Sequence, residues 1–223
     1  MNHETQPSTA APTALPTATE PNGAGSVGSA EAPLRVVLLV GSNRSGRFGP
    51  VVARWLLDLL AQHPELDAEV VDVADPPLPA ALTDRPTPEE AAQLASVQRR
   101  LATADAFLVL TPEYNHSYPA PLKNLLDWYR AEWQAKPVGF VSYGGVSGGL
   151  RAVEHLRQVF AELHTVTVRE TVSFHQAGAH FDDEGRHRDP GGQADAAAKA
   201  LFDQLTWWGL ALRQAREARP YGG

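Results

Sequence analysis

Two textures alternate along this chain. Residues 36–40 (VVLLV) form an unbroken β-branched and aliphatic run with no polar alternation, the pattern of a strand buried on both faces. The run stops at Gly41. A polar turn follows, Ser42-Asn43-Arg44-Ser45-Gly46-Arg47, and apolar residues then recur at helical spacing through Val51, Val52, Trp55, Leu56, Leu59 and Leu60. Residues 68–73 predict a second strand, stopped by Asp75-Pro76-Pro77-Leu78-Pro79. Thr87-Pro88-Glu89-Glu90 combines an N-cap, a proline at the first helical position and an acidic first turn, so a helix is expected from there to Ala102. Residues 106–110 are a third buried run, ending at Thr111-Pro112, and a helix is expected over 120–130. A fourth strand (137–143), a Gly-rich turn (144–149) and a helix (150–163) follow. Residues 165–173 alternate and are rich in Val and Thr, which predicts a fifth strand with edge character. A polar, His-rich loop (174–192) and an amphipathic helix (193–218) complete the chain.

Strand and helix thus alternate five times. That order predicts an α/β fold, a doubly wound five-stranded parallel sheet in three layers with right-handed crossovers. Ligands of such sheets sit at the carboxyl ends of the strands. The polar loops after the first, third and fourth strands all lie there, so topology brings them together. Residues 1–33 read differently. They are mostly Ala, Thr, Pro, Gly, Ser and Glu, with Leu15 and Val27 as the only large aliphatic residues. Such a segment buries too little apolar surface to offset chain entropy, and a disordered extension is expected. It has neither the basic start nor the apolar stretch of a signal peptide. The folded domain is expected over 34–219.

Charge and cysteine content narrow the function classes. A net charge of −7 argues against non-specific nucleic-acid binding. The absence of cysteine excludes disulfides, thiolate catalysis and Cys-bound metals within these 223 residues. No apolar run reaches the roughly 18 residues of a membrane span, and a cytoplasmic address is expected.

The first loop carries the clearest chemistry. A strand, a Gly/Ser/Arg turn and a helix start make an anion site, because small residues let backbone N–H groups converge and the helix N-terminus adds partial positive charge. Arg44 and Arg47 add full charges with forked geometry suited to phosphate. The turn is neither G-x-G-x-x-G nor a Walker loop, so the site is phosphate-sized without a nucleoside-triphosphate signature. The second loop reads Thr111-Pro112-Glu113-Tyr114-Asn115-His116-Ser117-Tyr118-Pro119, and the third Ser142-Tyr143-Gly144-Gly145-Val146-Ser147-Gly148-Gly149. Pro112 and Tyr114, with the Gly144-Gly145 turn opposite, suit the faces and edge of a planar ligand.

The string PEYNHSYPAPLKNLLDW (112–128) resembles the signature of the NADPH-dependent FMN reductase family, flavodoxin-like enzymes that include quinone, chromate and azo-dye reductases. GSNRSGRF (41–48) and the Tyr143-Gly144-Gly145 turn are similar to that family's phosphate loop and second flavin-ring loop. The resemblance spans residues 35 to about 165. It implies a flavodoxin-like sheet of order 2-1-3-4-5 holding FMN in three loops. Ser42, Arg44, Arg47 and Phe48 would surround the phosphate. Pro112, Glu113, Tyr114 and Asn115 would line one side of the isoalloxazine and ribityl chain, and Tyr143, Gly144 and Gly145 would approach the ring from the other. The sequence departs from the family at Arg47 and Gly49, where members often carry Ser and Asn, so the loop loses a hydroxyl and gains a charge. The resemblance further implies hydride transfer from NADPH, or NADH, to FMN and onward to a small acceptor such as a quinone or free flavin. No side chain need serve as nucleophile or base. A homodimer or homotetramer is implied, with a partner monooxygenase as a second destination for reduced flavin, and a helix over 120–130 whose Leu122, Leu125, Leu126 and Trp128 pack at a subunit interface.

Other readings compete. A flavin-binding electron carrier without nicotinamide turnover fits the same loops. Gly145-Val146-Ser147-Gly148-Gly149 matches G-x-S-x-G, and with His180, Asp182, Asp183 and His187 downstream it admits a serine hydrolase built on Ser147. His175, His180, Asp182, Asp183 and His187 are of metal-ligating type, but their spacing fits no compact signature, and a solvated loop over the active site or a partner subunit is expected. Trp128, Trp133, Trp207 and Trp208 are expected in core or interface packing, and Trp55 on a buried stripe. Lys123, Asn124 and Asp127 sit at helical spacing for local pairing.

Overall fold

The computed structural model describes residues 32–75 and 77–222. Apart from Ala32 and Pro33, the expected N-terminal extension lies outside the described residues. The elements follow in the predicted order: β1 (Leu34–Val40), α1 (Gly49–Leu60), β2 (Leu66–Asp72), α2 (Pro88–Thr103), β3 (Ala106–Pro112), α3 (Ala120–Trp128), β4 (Pro137–Tyr143), α4 (Leu150–Glu162), β5 (Val166–Phe174) and α5 (Gln193–Ala218). Short 3₁₀ turns occupy Ala131–Trp133 and Ala177–His180. α2 starts on a full capping box: Thr87 Oγ1 accepts from the Glu90 N–H while the Glu90 carboxylate accepts from the Thr87 N–H. α3 is two residues shorter than expected, because the chain turns extended at Tyr129.

All strand pairs are parallel, in the order β2-β1-β3-β4-β5, so β5 is an edge as its pattern predicts. Period-two alternation divides the core between the two faces of the sheet. Val36, Leu38 and Val40 of β1 pack with Val52 and Leu56 of α1 and with Leu201, Phe202 and Leu205 of α5. Val37 and Leu39 point the other way, into Leu101 of α2, Leu122 and Leu126 of α3, and Leu156 and Phe160 of α4. Leu122, Leu125 and Leu126 therefore fill this chain's own core, not a subunit interface as expected. Trp133 and Trp55 are buried as predicted, whereas Trp207 is 64% exposed and Trp208 37%, so neither belongs to the core.

Strand register aligns the loops. Val40 pairs with Asp72 of β2 on one side and Leu110 of β3 on the other, and Pro112 pairs with Tyr143. The four strand ends and their loops therefore share one edge of the sheet. Among the described residues no helix is long and apolar enough to cross a membrane.

Candidate functional site

A cleft of about 360 Å³ opens at that edge. It is lined by Ser42, Arg44, Arg47, Phe48, Pro112, Glu113, Tyr114, Tyr143 and Gly144, nine of the residues expected from sequence, together with Ser45 and Gly46. Asn115 and Gly145 are exposed and do not line it. Asn115 and His116 instead form the two corners of a tight turn, both at positive φ (48° and 73°), closed by reciprocal hydrogen bonds between Tyr114 and Ser117. Asn tolerates this left-handed conformation better than most residues.

The first loop presents donors. Among the described residues no backbone acceptor satisfies the N–H groups of Asn43, Arg44, Ser45 or Gly46. Arg44 is exposed at the cleft, and its side chain has no hydrogen-bond or ion-pair partner among the described residues. Arg47 differs. Its Nη1 and Nη2 clamp the Asp72 carboxylate at 2.5 and 2.6 Å, and Nη1 also donates to the Ser42 carbonyl at 2.5 Å. The hydrogen bond to Asp72 holds the guanidinium firmly in its charged form. The two arginines expected to act alike thus differ in how they are held, and the loop's uncompensated charge is that of Arg44.

The second loop is tied at both ends. Ser42 Oγ and Tyr114 Oη share a 2.6 Å hydrogen bond that joins it to the first loop. Glu113, whose side chain is 7% exposed, turns its carboxylate towards the third: it accepts from Ser147 Oγ (2.8 Å), from the Arg151 backbone N–H (3.2 Å) and from Arg151 Nε (2.6 Å). Burial raises its pKa, but the bonds from Arg151 and Ser147 outweigh that and leave it below the usual carboxylate range. The Ser147 hydroxyl is thereby directed at a carboxylate and not at a histidine, which removes the hydrolase arrangement. His175 is engaged elsewhere, by the Val146 carbonyl at 2.8 Å.

The third loop folds back on β4. Gly149 adopts φ +86°, and a Cβ there would sit 2.7 Å from Ser142 Cβ and 3.1 Å from the Tyr143 backbone. Ser142 and Ser173 hydroxyls both donate to the Gly148 carbonyl, at 2.8 and 2.9 Å. Tyr143 is buried; desolvation, reinforced by nearby Tyr114, pushes its hydroxyl above the ordinary tyrosine range, so it stays a neutral phenol. Gly49 makes room for it, since a Cβ at Gly49 would lie 3.0 Å from the Tyr143 hydroxyl. A side chain at position 49 would crowd that phenol.

The His-rich loop supplies a further wall, though sequence reasoning named none of its residues for that role. The backbone N–H groups of Gln176 and Ala177 donate to the carbonyls of Gly145 and Gly144, at 2.8 and 3.0 Å. Residues 176–179 with Phe48, Tyr143 and Gly144 line a neighbouring open depression of about 420 Å³. Phe181 packs edge-on against Phe48 at 5.5 Å. The loop expected to be solvated is therefore partly core, and the His187 side chain is buried among Trp55, Phe174 and Phe181. Alternating apolar residues would have signalled this, but Phe181 stands alone among polar neighbours. Among the described residues no group of three or more His, Cys, Asp or Glu is placed to hold a metal ion.

Free N–H groups and an unpaired arginine side chain, sharing one cleft with small residues, proline and aromatic rings, suit a phosphate joined to a flat ring system. The comparisons with known proteins agree with that chemistry. An NAD(P)H-dependent FMN reductase of Schizosaccharomyces pombe is 38% identical over 52% of this chain and 60% of its own length. An NADPH:quinone oxidoreductase of Arabidopsis thaliana is 38% identical over 68% of this chain and 81% of its own. The Escherichia coli (strain K12) quinone reductase is 35% identical over 61% and 74%. Among solved structures, the flavoenzyme NAD(P)H:(acceptor) oxidoreductase FerB of Paracoccus denitrificans has the same fold, with a TM-score of 0.61 and 24% identity over 81% of this chain and 98% of its own. The family model described as NADPH-dependent FMN reductase matches residues 34–179, and this chain belongs to that family.

Proposed function

We propose that the protein is an FMN-dependent NAD(P)H oxidoreductase, with residues 34–219 as the flavin-binding unit. The observation that carries the reading is the cleft: first-loop donors and the unpartnered Arg44 side chain share one lining with Phe48, Tyr114 and Tyr143. Bound FMN supplies the hydride-accepting and electron-donating chemistry. The chain's own residues bind and orient. The N–H groups of Asn43–Gly46 and the Arg44 guanidinium would meet the phosphate, Pro112 and Tyr114 would flank one side of the ring and ribityl chain, and Tyr143 and Gly144 the other. Tyr143, a neutral phenol, adds no charge beside the ring. The acceptor in this reading is a small quinone-like molecule, as the names of the plant and E. coli relatives suggest; free flavin passed to a monooxygenase is the other outlet. We read the protein as a cytoplasmic homodimer or homotetramer, and the exposed Trp207–Trp208 pair supports burial against another molecule.

The test is an absorbance spectrum of the purified protein before and after anaerobic NADPH. Flavin bands near one equivalent that bleach on addition are expected. Flavin bands that persist would favour an electron carrier over a reductase. A colourless protein that takes up no added FMN would overturn the reading.

A further inference from the structure

We propose that Asp72, outside the three loops, is a positioning residue for the phosphate end of the cleft and acts through Arg47. The inference rests on the flavin reading above and goes beyond it, because Asp72 lies on a strand end that carries none of those loops.

Register puts the carboxylate there. Asp72 pairs with Val40, the last residue of β1, so its side chain stands beside the loop that begins at Gly41. The carboxylate is itself anchored, since Asp72 Oδ1 accepts from the Ala74 N–H at 3.0 Å and the Val73 N–H donates to the Val40 carbonyl at 3.1 Å. Against this fixed group Arg47 forms a two-pronged pair, and from the same Nη1 it reaches the Ser42 carbonyl. Ser42 in turn meets Tyr114 through its hydroxyl. One chain of contacts thus runs from the end of β2 through the first loop to the second.

A guanidinium carries five N–H donors. Nη1 spends both of its donors on Asp72 and Ser42, and Nη2 spends one on Asp72. The Nε–H and the second Nη2–H have no acceptor among the described residues, and Arg47 lines the cleft. A long flexible side chain offers such donors usefully only when held still, since its rotamer freedom is otherwise lost on binding. A carboxylate behind a ligand performs that service in metal sites, and the same logic applies to an arginine facing an anion. A short side chain such as serine at position 47 would need no such anchor. The arginine does.

The experiment is a flavin-binding cycle on apoprotein, followed by quenching of FMN fluorescence. Asp72→Asn nearly preserves shape and removes the charge. FMN affinity is expected to fall about tenfold, or about 1.4 kcal/mol, with riboflavin binding unchanged. In an Arg47→Ser background, Asp72→Asn should have no further effect, because the residue it positions is gone. Unchanged or tighter FMN binding in Asp72→Asn, the result expected if Asp72 merely cancels the charge of Arg47, overturns the proposal. So does an equal loss persisting in the Arg47→Ser background. If Asp72→Asn does not fold, Asp72→Glu keeps the charge, shifts the anchor by one methylene, and should show the same loss. Wild-type protein that takes up neither flavin would sink the functional reading itself, and with it this inference.

Discussion

Glu113 and Arg151, 38 residues apart, are joined by a charge-assisted hydrogen bond of 2.6 Å from Arg151 Nε, and the Arg151 backbone N–H adds a second contact at 3.2 Å. The pair ties the loop after β3 to the first turn of α4, where the helix dipole also favours a carboxylate. Arg47 and Asp72 do the same between β2 and the loop after β1. The cleft walls are thus fixed to one another by polar clamps, while its apolar faces stay available.

Replacing Glu113 by Ala leaves Ser147 and Arg151 without their shared acceptor. Because Arg151 is 45% exposed, the loss is discounted for solvent screening to about 1–2 kcal/mol. That corresponds to a fall in Tm of about 2–8 °C. The folded pKa of Glu113 lies below its ordinary value, so its contribution is present in full above about pH 4.5 and is lost as pH falls through the folded value. Thermal melts of both proteins across pH 3–6 should converge at the acid end. A constant difference would contradict this account.

The Arg44 side chain has no partner to lose among the described residues. Arg44→Ala should leave the stability of the apoprotein within about 0.5 kcal/mol of wild type. FMN affinity should fall about 10- to 100-fold, the scale of one or two charge-assisted hydrogen bonds. Riboflavin titration is the control. Equal affinity of variant and wild type for FMN would remove Arg44 from the phosphate end.

Lys136 is buried against the Phe107 ring, and its Nζ donates to the carbonyls of Leu101 and Ala102 near the end of α2. Burial, helped by Arg216, pushes its pKa down to about 8 from 10.5. The unfolded chain therefore holds the extra proton between those two values, and this group's contribution to stability rises with pH across that window. The neutral amine still has two N–H donors for the two carbonyls. Denaturation midpoints of wild type and Lys136→Met at pH 7.5 and pH 10 test this: the difference should shift towards wild type at the higher pH.

Gly149→Ala tests the third loop. At φ +86°, with the Ser142 side chain and Tyr143 backbone 2.7–3.1 Å from the new methyl, both conformation and space oppose the change. A loss of about 2–4 kcal/mol is expected, together with weaker flavin binding, because this glycine sets the approach of the loop to Tyr143. Differential scanning calorimetry with and without FMN separates the two effects.

The fold was legible because its signals are local and repeated. The run from Val36 to Val40, Thr87-Pro88-Glu89-Glu90 and the Val52/Trp55/Leu56/Leu59 stripe each announce an element without help from distant residues, and five repeats leave few topologies. The loops of the cleft were legible for the same reason, since each follows a strand. What escaped were pairings between loops. Asp72 read as the end of a strand, and only the β1–β2 register reveals that it faces Arg47. Residues 176–179 carry no motif, and their place at the cleft follows from hydrogen bonds to Gly144 and Gly145. Trp207 and Trp208 could be assigned to core or interface only by knowing which face of α5 meets the sheet.

By itself, then, the sequence determined the order of elements, the edge of the sheet where chemistry occurs and the residue types that gather there, because hydrophobic period and turn chemistry act over a few residues. The tertiary structure decided which of two neighbouring arginines stays free. That choice turns on one carboxylate brought beside the loop by strand pairing, and charges 25 residues apart in sequence meet only through the fold.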